Sequence, residues 1–151
     1  MRISAKADYA VRAAVELAAA GDEPLTAETV AERQDIPVQF LQKIFHEMRR
    51  ARLVSSQRGR DGGHRLARPA DEISVADVLR AVEGPLAEVR GTPPESVSYN
   101  GAAKPLQDVW IALRTNMRTV LEGVTLADLA AGRLPRRIAS LAREPDSWVT
   151  R

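Results

Sequence analysis

Residues 37–69 carry the sequence PVQFLQKIFHEMRRARLVSSQRGRDGGHRLARP, and this stretch decides the fold. It combines an amphipathic segment, a short apolar segment, a glycine-rich basic turn and a second short segment. Residues 36–68 hold eight Lys/Arg and two Asp/Glu, a net charge of +6, whereas the whole chain is only +2. Such local charge on an amphipathic element predicts a polyanionic partner. The alternative is a solvated helix followed by an ordinary hairpin.

Three helices are predicted in the first fifty residues. The first spans 4–20, with Ser4 as its N-cap and Gly21 at its end, and the second spans 26–34 after the N-cap Thr26. The third opens at Pro37, where a missing N–H costs nothing. Its predicted apolar face consists of Phe40, Leu41, Ile44, Phe45, Met48 and Leu53. Its opposite face carries Gln39, Gln42, Lys43, His46, Arg49 and Arg50.

The second and third helices, joined by a tight turn, form a predicted helix-turn-helix. Glutamine side chains can pair with adenine edges in the major groove, and Lys or Arg can pair with guanine or phosphate. We therefore expect Gln39, Gln42 and Lys43 to contact bases, and Arg49 and Arg50 to contact phosphates.

A β-hairpin wing is predicted after this helix. Residues 53–57 and 64–67 have strand composition, and the turn 58–63 contains three glycines and two arginines, Arg58 and Arg60. Glycine lets such a tip approach a phosphate backbone closely, and arginine can enter a narrow minor groove. A phosphate-binding nucleotide loop is the alternative, but no helix follows and no Gly-Lys-Ser/Thr is present.

These motifs resemble the Rrf2 family of bacterial winged helix-turn-helix transcriptional regulators. The resemblance rests on MRISAKADYAVRAAVELA, FLQKIFHEMRRARLVSSQRGRDGGHRLARP, ISVADVLRAVEG and VTLADL. It implies a mainly α fold with a small β-hairpin wing. It also implies that Gln39 and Gln42 face base edges, that Arg58 lies at the minor groove, and that three residues of the first helix touch phosphates: Ser4, Lys6 and Tyr9. Tyr9 is equally compatible with a place in the core.

Residues 85–104 are predicted to form a long loop after a helix at 74–83, because they contain Pro93-Pro94 and Asn100-Gly101. In the cluster-binding relatives this loop carries three cysteines. Here the whole chain has none, which excludes disulfides, thiolate zinc sites and cysteine-ligated clusters. His46 and His64 lack a joint-ligand spacing, so we predict no metal and no cofactor. Asp8, near the position of a cluster ligand in one branch of the family, is interpreted as a surface residue.

A long helix is predicted over 105–122, with an apolar stripe of Leu106, Val109, Trp110, Leu113, Met117, Val120 and Leu121. Pairing with the same helix of a second subunit is the favoured interpretation, and packing within the monomer is the alternative. The resemblance also implies a dimerisation helix here.

Four regions are therefore predicted: a DNA-binding domain at 1–84, a sensor-type loop without cysteines at 85–104, a dimerisation helix and a short helix at 105–132, and a tail at 133–151. The short helix opens at a capping box beginning with Thr125. The tail forms either one more weak helix or a segment that docks through Trp148.

The chain is predicted to be a homodimeric transcriptional regulator that acts as a repressor. We expect it to bind double-stranded DNA sequence-specifically, at a pseudo-palindromic operator. A small-molecule or protein effector bound at the 85–104 loop is the alternative form of control. No nucleophile–base arrangement or nucleotide loop is present, so no enzyme activity is predicted. Charges interrupt the first helix and no apolar run reaches about 18 residues, which predicts a cytoplasmic protein without a membrane span.

Overall fold

A computed structural model describes residues 2–150. In chain order its helices and strands are α1 Ala5–Ala20, α2 Ala27–Gln34, α3 Val38–Arg50, β1 Val54–Gln57, β2 Gly63–Leu66, α4 Val75–Glu83, α5 Leu106–Leu121, α6 Leu126–Ala130 and α7 Arg136–Arg143. Four short 3₁₀ turns lie at Ala70–Glu72, Pro94–Ser96, Gly101–Ala103 and Pro145–Trp148. The mainly helical fold with one β-hairpin confirms the predicted fold class.

Local capping explains where several helices begin. The Ser4 hydroxyl accepts from the Ala7 N–H at 3.0 Å, and the Thr26 hydroxyl accepts from the Thr29 N–H at 3.1 Å. Ser74 and Thr125 both open complete capping boxes, each closed by an aspartate three residues later. These side chains satisfy N–H groups that have no partner inside the helix. The predicted starts of α1, α2, α4 and α6 are therefore confirmed.

One apolar core unites α1 to α4, the hairpin and α6. Its largest fully buried side chains include Leu17, Leu41, Ile44, Phe45 and Met48. Leu126 of α6 also has no exposed surface, and its N–H donates to the Ile73 carbonyl at 2.9 Å. The chain thus leaves the core after α4 and returns to it after α5. The burial of Leu126 in this core was not predicted from the sequence.

Helix α5 lies outside this core. It contains no buried residue, and Val109 is 54% exposed. Its apolar stripe is therefore covered only in part by the described residues of its own chain. None of the helices described in residues 2–150 is long and apolar enough to cross a membrane.

One expectation from the sequence was wrong, and one of the two open interpretations of the tail does not hold. Phe40 was placed on the buried face of α3, but it is 54% exposed and lies edge-on to Tyr9, with ring centroids 6.4 Å apart. Leu41, Ile44, Phe45 and Met48 already fill the core-facing stripe, and Phe40 lies at its margin. Trp148 does not dock on the domain: it is 81% exposed, and its indole N–H donates to the Ala142 carbonyl within the tail. The weak-helix interpretation of the tail is confirmed by α7.

Phe45→Ala should lower the free energy of unfolding by about 3–5 kcal/mol, because it removes a ring that is 1% exposed and leaves a cavity. The same substitution at Phe40, on the same helix, should cost less than about 1 kcal/mol. Chemical denaturation of both variants measures the difference. Equal losses would contradict the placement of the two rings.

Candidate nucleic-acid interface

The outer face of α3 is polar, basic and open to solvent. Gln39, Gln42, Lys43, Arg49 and Arg50 are all exposed. All of these except Arg49 line one shallow depression, together with His46 and Glu47. The structure therefore brings the predicted base-contacting residues and one predicted phosphate anchor onto a single surface. An exposed helix face of this kind has the width that a major groove accepts.

His46 was not predicted as a site residue, although the sequence placed it on the polar face of α3. It lies within the same depression as Gln39 and Gln42. Its Nδ1 atom lies 3.3 Å from a guanidinium nitrogen of Arg49. Since guanidinium groups only donate, Nδ1 accepts, and the second ring nitrogen is then left free to contact a base or phosphate. The sequence offered one indication of this place: His46 follows Gln42 by four residues and therefore lies on the same face of α3.

The wing is a two-stranded antiparallel hairpin in which Val54 pairs with Leu66 and Gln57 pairs with Gly63. Its tip carries Arg58 and Arg60, both exposed. Gly63 has a φ of 153°, and a Cβ atom there would lie 2.7 Å from the Leu25 carbonyl oxygen. Only glycine permits this approach. The hairpin can therefore lie directly against the segment between α1 and α2.

His64 connects the wing to both neighbouring segments. Its backbone exchanges two hydrogen bonds with Leu25, at 2.7 and 2.9 Å. Its ring stacks on Phe45 of α3 with centroids 4.1 Å apart, and its Nδ1 lies 2.8 Å from the Ser56 hydroxyl. The two elements predicted to contact DNA, α3 and the hairpin, are thereby packed against each other.

The three residues of α1 that were predicted to touch phosphates have different partners in the structure. Lys6 forms an ion pair with Glu47 of α3 at 3.3 Å, beside Arg50. Tyr9 packs its ring against Phe40, and the Arg12 guanidinium lies 5.3 Å from its centroid. The Ser4 hydroxyl caps α1 and donates to Glu83. Lys6 therefore adjoins the α3 face, whereas the Ser4 side chain is engaged within the protein.

The charge of this surface is set apart from the rest of the chain. Residues 36–68 hold eight of the 22 basic residues and two of the 20 acidic ones, which leaves 14 basic and 18 acidic residues elsewhere. The one acid on the α3 face, Glu47, is neutralised by Lys6. A positive surface on a chain that is otherwise net acidic favours binding of a polyanion through that surface.

The 85–104 loop is folded back onto α5. The Gln107 side chain donates to the carbonyls of Pro94 and Glu95 at 3.3 and 3.2 Å, and the Trp110 indole donates to the Tyr99 hydroxyl at 3.0 Å. Pro94 and Val97 are buried. The loop is therefore an ordered layer on α5.

Comparison with known proteins places these features in a family. The model of the Rrf2 family, described as iron-dependent transcriptional regulators, matches residues 3–132. The chain is 54% identical over 143 residues to Rv1287 of Mycobacterium tuberculosis, a protein assigned to the HTH-type transcriptional regulators, covering 94% of this chain and 89% of that one. It is 35% identical to the HTH-type transcriptional regulator IscR of Cereibacter sphaeroides, covering 85% and 86% of the two chains.

Solved structures agree with this assignment. CymR, the global cysteine regulator of B. subtilis, superimposes with a TM-score of 0.74 at 32% identity, covering 87% of this chain and 98% of that one. IscR of T. potens superimposes with a TM-score of 0.71 at 30% identity, covering 95% and 92%. These relatives and neighbours are transcriptional regulators, not enzymes.

The iron in the family description does not suit the residues of this chain. Iron–sulfur clusters are held by thiolates, and the chain has no cysteine. Among residues 2–150, no three or more His, Asp or Glu side chains are grouped so that they could hold a metal ion. Asp8 instead pairs with Arg12 at 3.2 Å on the surface of α1.

His64 should titrate below its ordinary pKa of 6.5, because burial disfavours its charged form and the Arg49 charge adds to this effect. The folded protein then binds fewer protons than the unfolded chain, so this group's stabilising contribution is present above pH 6.5 and falls as the pH drops below it. Proton NMR titration of the ring, assigned by the signal lost in His64→Phe, measures the pKa. A value above 6.5 would contradict the placement of the ring against Phe45.

Proposed function

This chain belongs to the Rrf2 family of transcriptional regulators, and we propose that it acts in the cytoplasm as a homodimeric, sequence-specific DNA-binding repressor. The observation that carries the proposal is the single exposed surface shared by Gln39, Gln42, Lys43 and Arg50, beside a basic wing. A dimer that covers two half-sites blocks the DNA beneath it, which is the simplest route to repression.

Base contacts are proposed for the N-terminal half of α3. Gln39 and Gln42 lie one turn apart on its exposed face, and an amide side chain can donate to and accept from adenine in the major groove. Lys43 adjoins them with a donor suited to guanine. Arg49 and Arg50, one to two turns further on, are proposed phosphate contacts that position the helix and carry little sequence information.

Arg58 is proposed to contact the minor groove, and Arg60 is proposed to contact the adjacent DNA phosphate backbone. Both side chains extend from a tip whose Gly59 and Gly62 add no bulk. His64 stacks on Phe45 of α3, so the hairpin that bears this tip packs directly against the proposed recognition helix. A narrow, A·T-rich minor groove next to the major-groove site would attract these guanidinium groups.

Dimerisation is proposed through α5. Its apolar stripe is left partly uncovered, and four of its residues, Leu113, Met117, Val120 and Leu121, line an open groove of about 560 Å³ together with Ile3, Leu79 and Leu86. An apolar surface of this kind needs a partner. Because half-sites bound by a symmetric dimer lie about one helical turn, ~10 bp, or a multiple of it apart, the operator should be pseudo-palindromic.

Control by a small-molecule or protein effector at the 85–104 loop is proposed as the second element of function. The loop is ordered, and it lies on the same helix that carries the proposed dimer contacts. A ligand bound there would contact α5 directly.

Arg58→Ala should weaken binding to the selected operator by about 1–3 kcal/mol, while its effect on random DNA is smaller. Arg49→Ala should weaken binding to all sequences and lower the salt slope by about 1. Arg136→Ala, which removes the same charge from exposed α7, is the matched control and should change neither. Gel-shift titrations on operator and random duplexes at several salt concentrations measure these effects. Equal losses on both duplexes for Arg58→Ala would show that it only positions the protein.

Val109→Glu should raise the dimer dissociation constant at least tenfold, about 1.4 kcal/mol, because a charge is placed within the proposed apolar interface. Thr115→Glu introduces the same charge on the exposed, opposite side of α5 and serves as the control. Sedimentation equilibrium measures the association. A monomeric parent protein, or a dimer unaffected by Val109→Glu, would contradict dimerisation through α5.

A further inference from the structure

A small pocket between the 85–104 loop, α4 and α5 is lined by three arginines. It measures about 210 Å³, and Arg80, Arg114 and Arg118 border it together with a single acid, Glu95. Pro85, Leu86 and Pro93 form apolar walls beside them. Three guanidinium groups thus border a small space that has one carboxylate in its lining.

The three arginines differ in how far their charge is satisfied. Arg80 of α4 pairs with Glu122 beyond α5 and lies 3.8 Å from Asp77. Arg114 pairs with Glu95, and its side chain is only 17% exposed. Within residues 2–150, Arg118 has no acid within 4.0 Å, although its charge acts on Glu95. The pocket therefore offers one guanidinium without a salt bridge and a second one held by an exposed loop carboxylate.

Glu95 supplies the one carboxylate of the pocket lining and pairs with Arg114. Its backbone carbonyl is held by Gln107, and its carboxylate reaches back to Arg114. A hydrogen bond from its own backbone N–H, followed by the bond from Arg114, lowers the pKa of this carboxyl. The carboxylate therefore stays ionised at neutral pH and binds Arg114 from within the chain. The Glu95 side chain is 57% exposed, so this contact is open to solvent.

We propose that this pocket binds a small organic oxyanion, such as a dicarboxylate, through Arg118 and Arg114, with Glu95 as the internal competitor. Guanidinium groups match the planar, two-oxygen geometry of carboxylates and also bind phosphate. The prolines and Leu86 suit a short carbon skeleton, and the volume suits a ligand smaller than a typical drug molecule. Anion binding itself does not depend on the proposed function. Only its expected effect on DNA affinity rests on that function.

Arg80 connects the pocket to the DNA-contacting surface. It borders the pocket on one side, and on the other it lines a depression shared with Lys6, Glu47 and Arg50. Helix α4 also packs against α1 and α3. An anion held by Arg114 and Arg118 also lies beside Arg80, where its charge competes with Glu122 and weakens the contact between α4 and the end of α5. Binding in the pocket should therefore alter DNA affinity.

Isothermal titration calorimetry of the full-length chain without DNA tests the pocket. Succinate and inorganic phosphate are the probes, at constant ionic strength. Uncharged succinamide is the control probe. Arg118→Gln should weaken anion binding about tenfold or more, since it removes a charge-assisted contact. Glu95→Gln should tighten it several-fold, because it releases Arg114. Arg58→Ala and Arg136→Gln should leave it unchanged, and circular dichroism confirms that each variant is folded.

Four results would overturn the proposal: no heat from either anion up to about 10 mM, equal binding of succinamide, unchanged affinity in Arg118→Gln, or loss of binding in Arg58→Ala. The last result would place the anion on the DNA-contacting face. Gel shifts with and without succinate then test the regulatory consequence. A chain that binds succinate as expected but binds no DNA retains the pocket and contradicts the proposed function, and the opposite pattern contradicts the pocket alone.

Discussion

The stacking of His64 on Phe45 is the interaction on which the proposed DNA-binding surface depends. Phe45 points into the core from α3, and His64 lies in the wing, so one ring pair joins the two elements. The backbone pairing of His64 with Leu25 adds a third segment to the same point. The glycine before it, Gly63, permits this approach because a side chain would collide with Leu25. The ring and backbone of His64 therefore join α3, the hairpin and the segment before α2 at one point.

A second constraint lies at the far end of the chain. After α5 the backbone returns to the core, where Val124 accepts a hydrogen bond from the Val75 N–H at 3.0 Å and Leu126 is fully buried. The 85–104 loop packs on the N-terminal half of α5, through Gln107 and Trp110. The helix is thus attached to the winged core at one end and to the loop at the other. Helix α5 therefore lies between the loop and the core and contacts both.

Local chemistry made much of this structure predictable from the sequence. Ser4, Thr26, Ser74 and Thr125 marked their helices because caps depend on residues only three positions apart. The hairpin followed from strand composition around a glycine-rich turn. Contacts between distant segments were not predictable: the return of Leu126 to the core, the exposure of Phe40 and the three-arginine pocket all depend on tertiary packing. His46 was visible on the polar face of α3, but the depression that it shares with Gln39 and Gln42 became apparent only in the structure.

The most direct measurement is selection of bound fragments from a library of random duplex DNA by the purified full-length protein. The account predicts enrichment of one pseudo-palindromic motif, with half-sites about 10 bp apart or a multiple of that, and an A·T-rich step where the wing lies. Enrichment of no motif over the starting library, with binding that depends only on salt, would contradict a sequence-specific interface formed by α3 and the wing.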